Sequence, residues 1–349
     1  MSHAISHSTT ETLPAPWPDP PGPAATVTDR LLWYPTVARW APSKHNTQPW
    51  RFVVRDDALE VWTDPTRALP ASDPHMRELV VSCGAALHHV EIAAAALGRK
   101  VSVDLVPQGG TSLLARVAET GSAEVTAHDV ALLKAVPVRR TDRGPLDRTL
   151  LAPSLPFQLQ SAAAVYGAAF RLVASAGDRA TLGDLVERGD RMLARQDRVE
   201  GELARWLREP ADAAEDGVPR DRTRGAAASY RAEFVQRDFS GDPQSAPSRA
   251  AHDRPGNDHP ILGVLCTSED GPLDWVAAGR ALSAVLLEAT VAGAHASYLN
   301  QPVELPALRA DLRTALLLPG VAQCVLRVGL GADVAPTPRR PVEDMRFRA

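Results

Sequence analysis

Two apolar segments in distant parts of the chain share one pattern of small residues. The segment CGAALHHVEIAAAALG (83–98) aligns without a gap with AGRALSAVLLEATVAG (278–293), and the glycine pairs Gly84–Gly279 and Gly98–Gly293 are among the identities. Chance similarity between two alanine-rich helices is the alternative. A single shared register indicates instead that one domain was duplicated. Small residues would let these helices approach closely, so we predict that they meet at a central pseudo-twofold interface.

Helix and strand patterns recur in the same order in both halves of the chain. Two β-prone runs around Asp56–Asp57 predict a hairpin. Asp73 is the predicted N-cap of a long helix that has Pro74 at its first position and ends at Gly98. Further helices are predicted at 26–40, 127–135, 155–167, 178–207, 274–293 and 304–317, and further strands at 101–106, 113–118, 169–174, 261–267, near Ser297 and at 323–330. The pattern predicts an α+β fold with two related halves, 26–135 and 136–349.

Two polar segments lie outside this pattern. Residues 1–25 are rich in proline and lack the basic start and apolar run of a signal peptide, so we predict a disordered leader. Residues 208–259 are polar, rich in Pro and Gly and poor in periodicity. Loops of this length are often lids, so we predict a lid-like insert that lays a few aromatic side chains over a cleft.

Composition excludes several classes of protein. A net charge of −4 and the lack of a polybasic cluster argue against a nucleic-acid partner. The longest apolar tract contains Arg280 and Glu288, which predicts a buried helix and no membrane span. The cysteines, Cys83, Cys266 and Cys324, form no CxxC pair and predict neither disulfides nor a zinc site. They fit a reducing cytoplasm, and no His spacing predicts another metal site.

The stretch APSKHNTQPWRFVV (41–54) resembles the flavin-contacting signature of the FMN-dependent nitroreductase family. The matching residues are Pro42, Ser43, Asn46, Gln48, Pro49, Trp50 and Phe52. RRTDR (139–143) resembles the family's phosphate-binding start, with Thr141 in place of Ser, and PTPRRPVEDM (336–345) resembles its basic C-terminal clamp. The order of these motifs is similar to that of the Acg-like branch, in which two nitroreductase-type halves are fused. The resemblance covers about 26–345 apart from the insert, and it implies a nitroreductase-like intramolecular pseudo-dimer that functions as a monomer.

The arginines of the two later motifs suit a terminal phosphate. Guanidinium groups offer paired donors in a fixed plane, which matches phosphate oxygens. The candidates are Arg139, Arg140, Arg143, Arg339 and Arg340. Solvated surface arginines are the alternative in a chain so rich in Arg, but both clusters stand at the family's positions. Because no adenine-binding signature accompanies them, FMN is the predicted cofactor.

The opening motif suits the flavin ring. Its candidate contacts are Pro42, Ser43, Lys44, Asn46 and Gln48. Uncharged Ser, Asn and Gln side chains can match the donors and acceptors of the ring edge, and Lys44 is a candidate cation for the N1/O2 edge, where reduced FMN carries negative charge. Ser43 and Asn46 also suit helix termination and a turn, and Gln48 also suits bracing of the following strand.

The turn YLNQPVE (298–304) follows the second central helix. In the family the equivalent turn brings backbone N–H groups to flavin N5, and by this resemblance Leu299, Asn300 and Gln301 take that role. An Asn-initiated helix cap before Pro302 is an equal alternative.

The two motif types lie in different halves of the chain. The polar signature is replaced by VYGAAFRLV (165–173) in the second half, and no RRxxR precedes the first helix. We therefore predict one FMN per chain. One function that follows is an oxidoreductase that moves electrons from NAD(P)H through FMN to a nitroaromatic, quinone or similar small acceptor. The alternative is an FMN storage or sequestration protein whose flavin is covered by the insert.

Overall fold

The computed structural model describes residues 19–106, 112–209, 212–220, 234, 259–332 and 334–346. The helices are α1 (Val27–Ala38), α2 (Arg77–Ala96), α3 (Ala127–Val138), α4 (Leu155–Ala164), α5 (Ala176–Leu193), α6 (Asp197–Trp206), α7 (Pro272–Val291) and α8 (Pro306–Ala315). The strands are β1 (Trp50–Arg55), β2 (Ala58–Thr63), β3 (Arg99–Leu105), β4 (Leu113–Ser122), β5 (Ala169–Leu172), β6 (Leu207–Arg208), β7 (Val218–Pro219), β8 (Ile261–Thr267), β9 (His295–Tyr298) and β10 (Val321–Gly329). This mixture of helices and strands confirms the predicted α+β class.

Two four-stranded antiparallel sheets contain most of the strands. The first has the order β1-β2-β4-β3 and the second the order β5-β8-β10-β9. The β1–β2 hairpin turns at Asp56 and Asp57, whose φ angles are 50° and 53°. A two-residue turn with positive φ at both positions matches the twist of the strands that it joins. The predicted hairpin is therefore confirmed.

Helices α2 and α7 pack directly against each other in the centre of the protein. A Cβ atom on Gly279 would lie 2.0 Å from a backbone oxygen of α2, and one on Gly84 would lie 2.4 Å from a backbone oxygen of α7. His88 Nδ1 lies 2.8 Å from Ser283 Oγ, and these two residues are 195 positions apart. Gly84 and Gly279 have the same separation. Residues matched by the internal alignment thus contact one another across the two helices.

Both central helices are buried. Among the described residues, α2 is long and apolar enough to cross a membrane, but 83% of its most apolar window lies inside the protein. Helix α7, predicted as a buried helix, has most of its residues in the core. Each helix contacts strands of one sheet, α2 the first sheet and α7 the second.

Helix α2 begins at Arg77, so the prediction of Asp73 and Pro74 as its first residues was wrong. Met76 precedes the helix with a φ of 57°, which separates a turn at 73–76 from the helix. The Asp73 carboxylate nevertheless accepts a hydrogen bond of 2.9 Å from Leu79 N. Asp73 thus caps the helix from the preceding turn, and the residue pattern alone placed the helix start one turn too early.

The single helix predicted at 178–207 is two helices, α5 and α6. After the break, Glu202 on α6 accepts hydrogen bonds from Ser72 N at 3.0 Å and Ser72 Oγ at 2.7 Å. Amphipathic spacing continues across the break, so the sequence pattern does not reveal it. The contact with the loop around Ser72 depends on the tertiary structure.

The two arginine motifs lie along sheet edges. Thr141 pairs with Ala296 of β9, and Arg346 pairs with Phe52 of β1, both in the parallel sense. The C-terminal segment therefore crosses to the first sheet, where it can meet the opening motif.

Two predictions concern segments that are only partly described. Residues 1–18 of the predicted leader, and residues 210–211, 221–233 and 235–258 of the predicted insert, lie outside the described residues. The piece 212–220 carries β7, which pairs with β6. Phe234 is buried against Gly183 of α5, where an added Cβ atom would lie 3.7 Å from the Phe234 ring.

Candidate functional site

A cavity of about 180 Å³ lies where the opening motif, α2, RRTDR and the C-terminal segment meet. Its volume far exceeds the roughly 15 Å³ that one water needs, so it is a ligand-sized space and not a packing defect. The predicted site residues that line it are Pro42, Ser43, Lys44, Asn46, Arg139, Arg140, Thr141, Arg143, Asn300, Gln301 and Arg339. Three predicted residues, Gln48, Leu299 and Arg340, are not among its lining residues.

One wall of the cavity is strongly cationic, and we call it the arginine wall: Arg139, Arg140, Arg143 and Arg339. Burial lowers the pKa of Arg339 to about 9, and the positive charges of Arg139 and Arg140 add to this shift. Burial also lowers the pKa of Arg143 to about 10. These groups remain protonated at neutral pH but destabilise one another, and a bound anion would relieve that repulsion.

Several donors of this wall find no acceptor within the described ranges of the chain. Arg139 Nε, Arg139 Nη1 and Arg339 Nε are buried and lack a hydrogen-bond partner among the described residues. An unsatisfied buried donor costs about 1–3 kcal/mol, and more when it is charged. The wall therefore suits an anionic ligand with several acceptor oxygens.

Arg39 belongs to the same group of charges, and the sequence analysis missed it. Its positive charge contributes to the lowered pKa of Arg339. Burial lowers the pKa of Arg39 itself, and its Nε lacks a partner within the described part of the chain. Arg39 lies at the end of α1, just before the opening motif, and this position could have predicted that it belongs to the site.

The opening motif forms a tight turn with an uncommon backbone. His45, Asn46 and Gln48 have φ angles of 50°, 55° and 50°, which glycine normally adopts. Ser43 Oγ closes the turn by accepting a hydrogen bond of 2.9 Å from Gln48 N. Residues held in this region cost of the order of 1 kcal/mol each and are concentrated at functional sites. Ser43 thus forms the predicted turn and also lines the cavity.

Asn46 joins three segments of the chain. Its Nδ2 donates to Gly217 O and to Pro338 O, both at 3.0 Å. Its Oδ1 accepts a hydrogen bond of 3.1 Å from Arg339 Nη1. Because its amide is engaged in these contacts, Asn46 positions the cavity walls and the arginine wall.

Gln48 and Arg340 brace each other outside the cavity. Gln48 Oε1 accepts from Arg340 N at 2.9 Å, and Arg340 Nη1 donates to Gln48 O at 3.2 Å. Gln48 Nε2 donates to Glu215 O at 3.0 Å. These residues therefore hold the C-terminal segment and the piece 212–220 against the opening motif.

Residues 212–220, which we call the strap, are fastened to the first half of the chain. Asp216 forms ion pairs with Arg67 and with Arg208, the latter at 2.6 Å. Gly217 N donates to Asn46 O at 3.3 Å. Val218 lines the cavity. This part of the predicted insert therefore forms a wall of the cavity.

The turn after α7 is only partly available to a ligand. Leu299 N donates to Val325 O at 3.0 Å, so its N–H group is engaged within the fold. Asn300 Oδ1 accepts from Val325 N at 2.9 Å, and Asn300 O accepts from Glu304 N at 3.0 Å. The capping alternative was wrong, because the next helix, α8, begins only at Pro306 and has Leu305 as its N-cap. Asn300 and Gln301 both line the cavity.

Another part of the cavity contains carboxylates that the sequence analysis missed. Lys44 Nζ pairs closely with Glu78, lies 3.2 Å from Glu304, and donates to Ser72 O at 3.2 Å. Lys44 is thus engaged by protein carboxylates, and its role as a counter-ion for reduced flavin stays a prediction. Burial raises the pKa of Glu78, Lys44 opposes this shift and Glu304 increases it. In the sequence, the charged residues Arg77 and Glu78 at the start of a mostly apolar helix could have pointed to this part of the cavity.

The comparisons with known proteins agree on one family. No family model matches the chain. The "Putative NAD(P)H nitroreductase Rv3131" of Mycobacterium tuberculosis (strain ATCC 25618 / H37Rv) is 33% identical over 315 residues, which cover 89% of each chain. The "Putative NAD(P)H nitroreductase acg" of the same strain is 32% identical over 329 residues, 91% of this chain and 96% of that protein.

Identity of this extent over nearly the whole of both chains shows that the chain belongs to the NAD(P)H nitroreductase family, a family of oxidoreductases. The Acg-like resemblance inferred from the motifs is confirmed, because the acg protein is among these relatives. The "Uncharacterized protein Rv3127" of the same strain is similarly related, with 31% identity over 317 residues.

Proposed function

We propose that the chain is an FMN-dependent oxidoreductase that takes electrons from NAD(P)H and passes them to a small acceptor such as a nitroaromatic or a quinone. The observation that carries the cofactor assignment is the arginine wall, in which Arg139 and Arg339 have buried donors without a partner among the described residues. A phosphate dianion offers the charge and the acceptor oxygens that those donors lack. Bound FMN would supply the hydride chemistry, and the protein would position and tune it.

The lining residues divide into two groups under this proposal. The phosphate would be held by Arg139, Arg140, Thr141, Arg143 and Arg339. The ring would lie against the opening motif and the turn 298–304, where Pro42, Ser43, Asn300 and Gln301 line the cavity. Asn46, Gln48 and Arg340 would act from behind by fixing the positions of these walls.

We also propose that the halves 26–135 and 136–349 form an intramolecular pseudo-dimer that works as a monomer in the cytoplasm. In a twofold interface, equivalent residues contact each other near the axis. The contacts Gly84–Gly279 and His88–Ser283 join residues that the internal alignment matches. The cavity takes its walls from both halves, which supports one site per chain.

We expect FMN, and not FAD, to be released from the protein at one equivalent per chain. The reason is that the two motif types meet in one cavity and that the arginine wall suits a terminal phosphate. Chromatography of the heat-released cofactor identifies it, and flavin absorbance against protein concentration gives the stoichiometry. FAD, or two equivalents of similar affinity, would contradict the assignment.

FMN sequestration remains the second candidate, because the strap contacts the opening motif and lines the cavity. A strap that stays closed would keep a nicotinamide from the flavin. A strap that opens would admit it, and segments held by few contacts open at little free-energy cost. Strong Asp216 ion pairs would keep the strap closed and favour sequestration, whereas weak ones would let it open and favour the oxidoreductase.

We expect Asp216→Asn to speed flavin reduction by NADPH about tenfold while FMN stays bound, because the strap loses the two ion pairs that Asp216 forms with Arg67 and Arg208. Burial alone would raise the pKa of Asp216, but hydrogen bonds from Arg208 and Arg67 outweigh it and lower the pKa. Acid should therefore loosen the wild-type strap as the pH falls through that pKa. Anaerobic stopped-flow absorbance measures both effects.

Asp311→Asn is the matched control for the strap. Asp311 pairs with Arg188 at 3.4 Å on the surface, away from the cavity residues. Equal reduction rates in the wild type and both variants would show that the strap does not gate the cavity. Loss of FMN from Asp216→Asn would make the strap part of the binding site and favour sequestration.

A further inference from the structure

Tyr298 is a cavity-lining residue at the end of β9 whose hydroxyl makes no hydrogen bond within the part of the chain that the structure describes. The side chain is mostly buried. Buried tyrosine hydroxyls usually find a partner, because water that once bonded to them has been removed. The hydroxyl of Tyr298 therefore has the capacity to bond to a group that a ligand brings into the cavity.

The fold sets Tyr298 beside the RRTDR motif. Thr141 forms a parallel bridge with Ala296, and Asp142 N donates to Ala296 O at 3.0 Å. Two positions beyond this bridge stand Arg143 in one segment and Tyr298 in the other, and both line the cavity. Since residues two apart in an extended segment point to the same side, the register of the bridge brings Tyr298 next to Arg143.

The electrostatics agree with this placement. Burial raises the pKa of Tyr298, and the positive charges of Arg139 and Arg143 oppose the rise. The phenol consequently keeps its proton at neutral pH and is a hydrogen-bond donor. Tyr298 thus lies close to two cations of the arginine wall without being hydrogen-bonded to either of them.

Donors from two segments therefore meet at this wall. Arg139 supplies Nε and Nη1, which are buried and lack an acceptor in the described ranges, and Tyr298 supplies its hydroxyl. Guanidinium groups contain no acceptor atom, so the tyrosine proton cannot be bound by its arginine neighbours. An anion with several oxygens can accept from both residues at once, and a phosphate dianion has this form.

We propose that Tyr298 is a further binding residue of the cavity, whose hydroxyl donates a hydrogen bond to the phosphate that Arg139 holds. This inference rests on the proposed function, in which that phosphate belongs to FMN. The hydrogen bond forms only with a phosphorylated ligand, so Tyr298 contributes to the choice of FMN over riboflavin. The turn after α7 thus takes part in binding through the side chain that begins it.

The first experiment compares the affinity of the apoprotein for FMN with that for riboflavin, which lacks the phosphate, by fluorescence titration. Tyr298→Phe should weaken FMN binding about tenfold, as expected for the loss of one hydrogen bond to a charged group, and leave riboflavin binding unchanged. Tyr166→Phe is the matched control, because Tyr166 is partly buried but is not among the lining residues of the cavity. Its ring, which Arg280 covers at 4.4 Å, is kept in the variant, so both affinities should stay as in the wild type.

The second experiment uses inorganic phosphate and needs no flavin. A ligand that binds only the folded state raises the free energy of unfolding, and urea unfolding at constant ionic strength measures the rise. The phosphate concentration required for a given rise should be about tenfold higher in Tyr298→Phe than in the wild type and in Tyr166→Phe. A general salt effect would be equal in all three proteins.

The stability without phosphate separates a binding role from a structural one. Tyr298→Phe should be as stable as the wild type, because the hydroxyl has no partner to lose among the described residues. Tyr34→Phe should be less stable, because the Tyr34 hydroxyl donates to Glu119 at 2.6 Å. A Tyr298→Phe apoprotein that loses stability like Tyr34→Phe, with unchanged phosphate and FMN binding, would make Tyr298 a structural residue.

The remaining outcomes distinguish this inference from the proposed function. Equal losses of FMN and riboflavin affinity in Tyr298→Phe would put the hydroxyl at the ring or the ribityl chain and overturn the phosphate assignment, as would an unchanged FMN affinity. A wild type that binds no flavin overturns the proposed function, and the phosphate titration then decides on Tyr298 alone. A weaker response of Tyr298→Phe to phosphate supports the assignment, and an equal response or no response in the wild type overturns it.

Discussion

Replacement of Arg139 by methionine is expected to weaken FMN binding about ten- to a hundredfold and, at the same time, to stabilise the apoprotein. One charge-assisted hydrogen bond to phosphate contributes about 1.5–3 kcal/mol, which sets the loss of affinity. Without a ligand, Arg139 is 7% exposed and two of its nitrogens lack acceptors among the described residues. An apolar side chain of similar length removes that burial cost. We expect the free energy of unfolding of the apoprotein to rise by about 1 kcal/mol.

The opposite signs of these two effects distinguish a binding residue from a structural one. Fluorescence titration of the apoprotein with FMN measures the affinity, and urea unfolding measures the stability. Arg30→Met is the matched control: Arg30 is also 7% exposed, but its Nε donates to Glu119 at 2.9 Å. That variant should lose stability and keep its FMN affinity. If Arg139→Met loses stability like the control and binds FMN normally, the arginine wall is structural.

Replacement of Gly279 by alanine is expected to destabilise the protein by about 3 kcal/mol, since forced overpacking of a close contact costs this much or more. The new methyl group would lie 2.0 Å from a backbone oxygen of α2 and 2.8 Å from Gly84 Cα. Neither atom can move without displacing the whole helix, so α2 and α7 must separate. Because the cavity draws walls from both helices, FMN affinity should fall with stability. Urea denaturation and flavin titration measure the two losses.

Gly201→Ala is the control for helix propensity. Gly201 is exposed on α6, and a Cβ atom there would meet nothing within 4 Å. The same change from glycine to alanine should therefore stabilise the protein by about 0.5–1 kcal/mol, the usual gain in a helix interior. Equal effects of Gly279→Ala and Gly201→Ala would show that α2 and α7 are not in backbone contact.

Features of the fold and the site that depend on local pattern were predictable from the sequence. Two β-prone runs around Asp56–Asp57 predicted the hairpin, since local turn chemistry selects it. The internal alignment predicted that the two central helices meet, since close helix packing needs small residues, and Gly84 and Gly279 lie at their contact. The RRTDR motif and Arg339 were predicted to meet, and both line the cavity.

Which of the predicted groups a ligand can reach depends on the tertiary structure. Asn46 and Gln48 were candidates by residue type, and Leu299 was a candidate for its backbone N–H group. Their hydrogen bonds go instead to Gly217, Arg340 and Val325. These partners are far away along the chain, so no local pattern contains them. The break between α5 and α6 was missed for the same reason, because a continuous amphipathic pattern fits one helix or two.

The carboxylate cluster at the cavity shows most clearly what sequence pattern cannot predict and the fold adds. Lys44, Glu78 and Glu304 come from three separate segments, and each alone is an ordinary charged residue. The fold brings them together in a buried space, where burial raises the pKa of Glu78, Lys44 opposes this shift and Glu304 increases it. Residue type fixes which groups can titrate, but burial and neighbouring charge decide how they do so. Those two quantities depend on the fold, and only the folded chain supplies them.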